Sequence, residues 1–582
     1  MAWILKNKKG DVETLTSKYD ISETMAKILI NRDITPENAE MYLRGTLQDL
    51  YDGMLMTDME KAVSVLKDSI EEGEKIRIIG DYDVDGVCSS YVLYKGLTSL
   101  GAACDARIPH RIVDGYGLNE RLIREAAEDH VDLILTCDNG ISAYAEIELA
   151  NSLGIKVVVT DHHEIPKNED GSEILPPALA VVDPHRKGDE YPFPEICGAV
   201  VAWKLMTAMG ISKEVFEDTL EAAAFATVCD VMPLRDENRI IVREGVAHMQ
   251  HTENVGLRAL TDASGIQREN LSVYHLGFVL GPTLNATGRL ETAMTGLKLL
   301  CSTDRDEAAK LALELRDLNE ERKNMTEMGV KRACELIEST DTMDKVLVVY
   351  LPDCHESVAG IIAGRIKERY HRPSFVLTDG ETGLKGSGRS IEAYDMYSAM
   401  TACKELFSKF GGHKMAAGLS LPKENLESFR TFLNDHAELT EADFEEKISI
   451  DAAFPLEAVS EDLIEECKLL EPFGVANPKP VFAQSRIYVN EIKIMGKNRN
   501  VAKFRAQVSK EKFMEVIYFG NIEALEEDIK SAYENGEKVF GYGGINGVGL
   551  PLQICYYPEI NEFRGVRTIQ PVITAYKIPE NK

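Results

Sequence analysis

The chain has 582 residues, with 65 Lys and Arg against 96 Asp and Glu, a formal net charge of −31. At roughly 150 residues per domain this length makes about four compact units, and 44% apolar with 28% charged residues is a globular balance that excludes a disordered polymer. The acidity argues against coating nucleic acid through bulk charge but leaves room for a local basic groove. No apolar run approaches the roughly 20 residues that cross a bilayer, so the expected location is the cytoplasm, with no membrane contact. Eleven scattered cysteines without a Cys-x-x-Cys pair read as reduced, buried thiols rather than a disulfide frame or a zinc site.

Residues 1–70 are expected to form an N-terminal helical extension, with Ser22 a possible helix cap. From Lys75 the pattern changes to short β-rich runs separated by amphipathic helices, the signature of a parallel α/β sheet. Four runs stand out, Ile76–Ile79, Val131–Cys137, Ile155–Thr160 and Ala178–Val182, within a domain expected over 71–300. A long charged helix near Arg305–Ser339 serves as a connector over 301–342. A second, smaller α/β domain follows over 343–440, with strands at Val346–Tyr350 and Ser374–Leu377 around a helix at Glu356–Tyr370. The last portion, 441–582, alternates β-like runs with Gly and Asn turns and predicts a small β-barrel and tail. Its strands are expected at Val481–Val489, Val501–Gln507, Phe513–Tyr518, Lys538–Tyr542 and Pro571–Ala575.

Three strands of the front domain end in ligand-type residues. The first runs into Asp81, Asp83 and Asp85, the next ends at Asp138-Asn139-Gly140, and the third at Asp161-His162-His163. In an open parallel sheet the carboxyl ends of the strands line one crevice, and a fourth contribution is expected at Asp230. A single Asp at a strand end is usually a turn or cap residue. Four such sites on one sheet edge are another matter. That many carboxylates in one cleft raise each other's pKa unless a cation neutralises them. Carboxylate and imidazole ligation suits Mn²⁺ or Mg²⁺, and two such ions can activate a water and stabilise the leaving oxygen of a phosphoester. In the second lobe, Gly386-Ser387-Gly388-Arg389 is expected as a glycine-rich turn offering backbone N–H groups, a hydroxyl and a guanidinium to a phosphate.

These motifs resemble those of the DHH phosphoesterase superfamily: Asp-Tyr-Asp-Val-Asp-Gly at 81–86, Asp138, Asp161-His162-His163 and Asp230. Within it, further segments are similar to the branch of bacterial single-stranded-DNA-specific exonucleases. They are Ile108-Pro109-His110-Arg111 with Gly115-Tyr116-Gly117, Gly198 with Lys204, and Asn285-Ala286-Thr287-Gly288-Arg289. Lys385 to Ser390, Gly411-Gly412-His413, Pro472-Phe473-Gly474 and Asn477-Pro478 complete the set.

The resemblance implies a parallel-sheet DHH domain, a DHH-associated second lobe and an OB-type barrel. It implies 5′→3′ release of mononucleotides from single-stranded DNA, in recombination and repair, with two Mn²⁺ or Mg²⁺ ions. Asp83, Asp85, Asp138, His162 and Asp230 are the implied ligands. Asp81 is either a ligand or a partner of one, and His163 faces the phosphate. Arg111, Arg289, Ser387 and Arg389 are expected to hold the DNA 5′ end, and His355 to line the same cleft. Implied protein partners are a single-strand-binding protein and a RecQ-type helicase. Thr283 departs from the arginine many members carry there, and Cys354 and Ser357 flank His355 where an aromatic residue and glycine are expected. Phe504, Tyr518 and Tyr542 are candidates for base stacking in the barrel, with core packing the stronger reading. Two rivals remain at this point: a DHH phosphoesterase for small nucleotides or short oligonucleotides, and a catalytically silent replication scaffold.

Overall fold

The computed structural model describes residues 1–579 apart from 112, 341, 381, 497, 510, 511, 542 and 564. Two compact units emerge, one of residues 1–49, 233–239 and 447–582, the other of 50–232 and 240–446. Among the described residues no helix is long and apolar enough to cross a membrane.

The larger unit contains a parallel sheet ordered Ala103–Arg107, Lys75–Ile79, Leu133–Cys137, Lys156–Thr160 and Ala180–Val182. Four are the runs read from the sequence. The fifth, Ala103–Arg107, is a half-exposed edge with no apolar run, and its Asp105 pairs with the buried guanidinium of Arg77 at 2.8 Å. Helices such as Val84–Ser99 and Gly198–Met209 cover the sheet. The chain leaves Lys75–Ile79 toward one neighbour and returns on its other side at Leu133–Cys137. The crevice between these two strands is therefore the switch point where open α/β sheets bind ligands.

The helix Arg305–Glu338 runs 34 residues, about 51 Å at 1.5 Å per residue. Asp304 caps it by accepting from the N–H groups of Asp306 and Glu307, both at 2.9 Å. The second lobe is a five-stranded mixed sheet ordered Lys409–His413, Ala416–Leu421, Gly383–Arg389, Ser374–Gly380 and Leu347–Tyr350, with the helix Glu356–Tyr370 packed against it.

The smaller unit contains a closed barrel of Phe482–Met495, Val501–Gln507, Phe513–Tyr518, Val566–Lys577 and Leu550–Phe563, the last pairing back to the first. The strand expected at Lys538–Tyr542 is not formed. Gly536–Phe540 is a 3₁₀ turn held by local bonds such as Lys538 N–H to Asn535 O at 3.0 Å, and the hairpin after Leu550 supplies the barrel wall instead; Tyr542 lies outside the described residues. Phe504 is fully buried and presents no free face to a base, and Tyr518 is partly buried against the same core. The N-terminal helices Val12–Tyr19, Glu23–Asn31 and Ala39–Arg44 bury Leu15, then Met25, Ile28 and Leu29, then Ala39 and Tyr42 in that same core. Ser22 caps the second of them, accepting from Met25 N–H at 3.2 Å.

Candidate metal centre and phosphate pocket

The acidic residues read from the sequence converge at the switch point. Asp81 to Asp85 leave the end of Lys75–Ile79, and Asp83 caps the following helix through Gly86 N–H at 3.1 Å. Asp138 closes Leu133–Cys137 in the left-handed region, φ 59°. Asn139 ties three pieces together: its amide donates to Ile79 O at 3.0 Å and Cys137 O at 2.9 Å, and its oxygen accepts from Leu118 N–H at 3.2 Å. Asp230 ends the helix Lys213–Cys229, followed by Val231 at φ 61°. A β-branched residue there is strained, as backbone at functional sites often is.

His162 stands at the centre. Its Nε2 lies 3.1 Å from Asp138 Oδ1, 3.4 Å from Asp85 Oδ2 and 3.8 Å from Asp230 Oδ2. Three overlapping groups have donor atoms within 4.8 Å of one another: Asp81–Asp83–Asp138, Asp85–His162–Asp230 and Asp138–His162–His163. Asp138 belongs to two of them. Burial first, and then the neighbouring carboxylates, push Asp81 and Asp230 up to about 8 and raise Asp83 and Asp138 as well. Asp81 Oδ1 is buried with no hydrogen-bond partner. A buried anion left without a donor is costly, and divalent cations remove both problems. The donor set therefore fits the group.

Asp161 plays a different part. Burial works against its charge, but the bond from His163 Nδ1 at 2.7 Å and both imidazoles outweigh it, so its pKa stays below the usual carboxylate range. It also accepts from Ile141 N–H at 2.9 Å. Burial works against the charge of His163, but the Asp161 bond, with Asp230 and Asp85 behind it, raises its pKa to about 9. The Tyr116 hydroxyl reaches His163 Nε2 at 3.2 Å and donates to Asp138 O at 3.0 Å.

Beside the acids lies a basic pocket in the same unit. Arg111 stacks over the ring of Tyr82, 4.8 Å from its centroid, and Tyr82 sits between Asp81 and Asp83 in the chain. Arg289 is depressed to about 10, first by burial and then by Arg111, Arg322 and Arg389. Arg389 is lowered by burial and Arg111. Guanidinium groups crowded until they lower one another form a site that wants an anion. Tyr82, Arg111, Ser357, Lys385, Lys409 and Phe410 line an adjoining cavity of about 400 Å³.

The three segments of the chain match, in order, the DHH family, N-terminal domain (residues 75–227), the DHHA1 domain (343–438) and the RecJ OB domain (450–575). The single-stranded-DNA-specific exonuclease RecJ of Salmonella typhimurium is 31% identical over 98% of this chain and 98% of its own length. The chain belongs to the RecJ family. The RecJ of Bacillus subtilis is 37% identical over 86% of this chain, which spans 64% of that protein's length. A crystal structure of RecJ in complex with Mn²⁺ from Thermus thermophilus superposes with a TM-score of 0.81 at 26% identity, covering all of this chain and 80% of that one.

Against the RecJ-type motifs, several residues have other duties. Gly386-Ser387-Gly388-Arg389 is not a turn. It lies in the strand Gly383–Arg389, paired on both sides, because Gly386 and Gly388 let Leu377, Phe375 and Met396 pack where a Cβ would stand. The sheet ladders occupy its backbone, which leaves the Ser387 hydroxyl and Arg389 guanidinium as the groups on offer. Both lie under Gly360, whose missing Cβ would meet Arg389 Nη2 at 3.0 Å and Ser387 Oγ at 3.1 Å. His355 caps the helix Glu356–Tyr370, its Nδ1 2.7 Å from Ser357 Oγ. Lys204 is buried and donates to Tyr51 O at 2.5 Å. Thr283 is buried too, bonded to Val279 O at 2.7 Å and to the Asn319 amide at 3.0 Å. Asn477 is a staple inside the smaller unit, accepting from the Tyr42 hydroxyl and donating to Leu470 O and Pro472 O, each at 2.7 Å. Arg322 lies on the charged helix Arg305–Glu338, where an arginine carries no signal until the fold sets it beside Arg289.

Proposed function

We infer that this protein is a metal-dependent exonuclease that degrades single-stranded DNA from the 5′ end to mononucleotides, in DNA recombination and repair. One observation carries the reading: in a single unit, a carboxylate–imidazole cluster short of positive charge adjoins an arginine pocket short of negative charge. Divalent cations would satisfy the first and let it meet a scissile phosphodiester, and a terminal phosphate would satisfy the second.

Asp81, Asp83, Asp85, Asp138, His162 and Asp230 are assigned as ligands of Mn²⁺ or Mg²⁺; the orphaned Oδ1 of Asp81 is the reason to include it. When bound, the ions supply charge neutralisation at the phosphate and a lowered pKa for the attacking water. The protein's own groups do the rest. Arg111, Arg289, Arg389 and the Ser387 hydroxyl hold the 5′ phosphate and set the register, so that one nucleotide leaves per cycle. His163, bonded to Asp161 and packed against Tyr116, presents its imidazole edge to a non-bridging oxygen whose charge grows in the transition state. Asn139 holds the loop ends that aim the carboxylates.

The OB barrel gives the chain a second module of a type that grips single strands through backbone and stacking contacts. An enzyme restricted to single strands also calls for partners that make and protect them, a RecQ-type helicase and a single-strand-binding protein. The test uses 5′-phosphorylated, 5′-hydroxyl and 3′-labelled oligonucleotides, single-stranded and duplex, with Mn²⁺. Mononucleotides appearing from the 5′ end of single strands, and lost in Asp138→Ala, are expected. Equal activity in both proteins would sink the assignment, and efficient cleavage of dinucleotides with none of long strands would favour the small-nucleotide reading.

A further inference from the structure

Two large aromatic side chains lie bare on the larger unit. Tyr274 is 63% and Phe278 71% exposed, yet their rings stack on each other, 5.2 Å between centroids at 27°. They belong to a continuous helical segment, Val273–Leu290, with a π-helical turn at Leu276–Leu280. Its inner side is locked to the catalytic centre at two points. Cys229, next to Asp230, donates its thiol to Leu276 O at 3.5 Å, and a Cβ on Gly281 would fall 2.4 Å from Cys229 Sγ. At the other end a Cβ on Gly288 would fall 2.3 Å from Tyr82 O, beside Asp83.

The outer side is one stripe. Tyr274 and Phe278 are exposed and Pro282, Asn285 and Arg289 half-buried, at spacings of four, four, three and four; His275, Gly277 and Val279 beside them are half-buried too, while Leu276, Leu280, Thr283, Leu284, Ala286 and Thr287 are buried. Such spacing puts all five on the same helix face. Arg289 at one end of that segment belongs to the arginine pocket, and Phe278 lies exposed toward the other end. Eleven residues of helix separate them, about 16 Å, or about five nucleotides at the ~3.4 Å spacing of a stacked strand.

We propose that Tyr274 and Phe278 form a stacking platform for bases of the DNA strand a few nucleotides inward from the bound 5′ end. The proposal rests on the single-strand exonuclease reading and gives it a grip that bypasses the overall negative charge, since every base offers a π face whatever the sequence. Continuity of the platform with the Arg289 face argues for the strand over a protein partner.

The test is anisotropy of a 3′-labelled, 5′-phosphorylated 12-mer in chelator, where cleavage is off, comparing wild type with Tyr274→Leu/Phe278→Leu. A second 12-mer carries abasic sites at nucleotides 4–6. The variant is expected to bind the intact 12-mer about tenfold or more weakly. Abasic sites should weaken wild type to a similar extent and the variant little further, while Mn²⁺-dependent hydrolysis of a 5′-phosphorylated dinucleotide is unchanged. Equal affinity of both proteins for the intact 12-mer would overturn the platform, as would an equal loss on the dinucleotide. If wild type neither binds nor cuts single strands, the nuclease reading fails first and the platform with it.

Discussion

The backbone N–H of Gly198 donates to Asp85 Oδ2 at 2.7 Å, and Ala199 N–H follows to Oδ1 at 2.8 Å. A helix N-terminus thus holds one carboxylate of the cluster by both oxygens. The approach is possible only because residue 198 has no side chain: a Cβ there would lie 2.8 Å from Asp138 Cβ, 3.0 Å from its Cα and 3.1 Å from Asp85 Oδ2. Gly198→Ala must therefore move Asp85 relative to Asp138. It is expected to lower Mn²⁺ affinity about 10–100-fold, as disturbed ligand support does, with nuclease rates falling in step. Calorimetric titration of the folded variant is the check, and wild-type affinity would show that the contact does not position Asp85.

Arg389 and Arg289 are proposed to act on binding rather than on the reacting bond. Arg289 also donates to Ser357 O at 2.8 Å, which fixes it in the fold, so Arg389 is the cleaner target. Arg389→Ala should raise KM for 5′-phosphorylated single strands about tenfold or more, the scale of a lost charge-assisted bond, with kcat little changed. Its preference for 5′-phosphate over 5′-hydroxyl ends should shrink. Steady-state kinetics on the paired substrates decide it; a fall confined to kcat would move Arg389 out of the clamp.

Much of this was legible because the chemistry sits at strand ends. Apolar runs at Ile76, Val131 and Ile155 locate the sheet, and a parallel sheet sends whatever follows each run to one rim. What failed to show was set by packing. Ala103–Arg107 hides because an edge strand needs no apolar run. Gly386 to Arg389 reads as a turn because glycine signals turns, whereas here it makes room for Phe375 and Met396. The helices of 12–44 look like a polar appendage, yet their few apolar positions are spaced to bury Leu15, Met25 and Leu29 in the barrel core. No local pattern reports such long-range partners.

A cluster of buried carboxylates strains the metal-free protein, and its sign can be read in melting curves. Without ions, Asp230→Asn removes a carboxyl that burial first, and then Asp85 and Asp83, hold protonated near neutral pH while the unfolded chain would ionise it. In chelator the variant should melt at or above wild type. With Mn²⁺ at a hundred times its dissociation constant, wild type gains about 2.7 kcal/mol, and the variant should gain less, so the order of melting reverses. Scanning calorimetry in the two conditions gives the answer. An unreversed order would mean that Asp230 does not meet the ions.

Glu221 offers a pH test remote from the proposed ligands. It is buried beside Thr252, whose hydroxyl donates to Oε2, at the wall of a cavity of about 670 Å³. Burial raises it to about 8; the Thr252 bond and Arg258 oppose the shift, while Asp218 and Glu253 add to it. A folded-state pKa above the ordinary carboxylate value means that the unfolded chain loses this proton first. The stabilisation is complete below about pH 4.5, declines through the interval to about 8, and is gone above it. The slope in that window is at most about 1.4 kcal/mol per pH unit. Glu221→Gln keeps an acceptor for Thr252 but cannot ionise. Urea unfolding at pH 5, 6, 7 and 8 in one metal condition should show wild type losing stability relative to the variant at each step. Parallel curves would mean that Glu221 ionises in the fold as easily as in water.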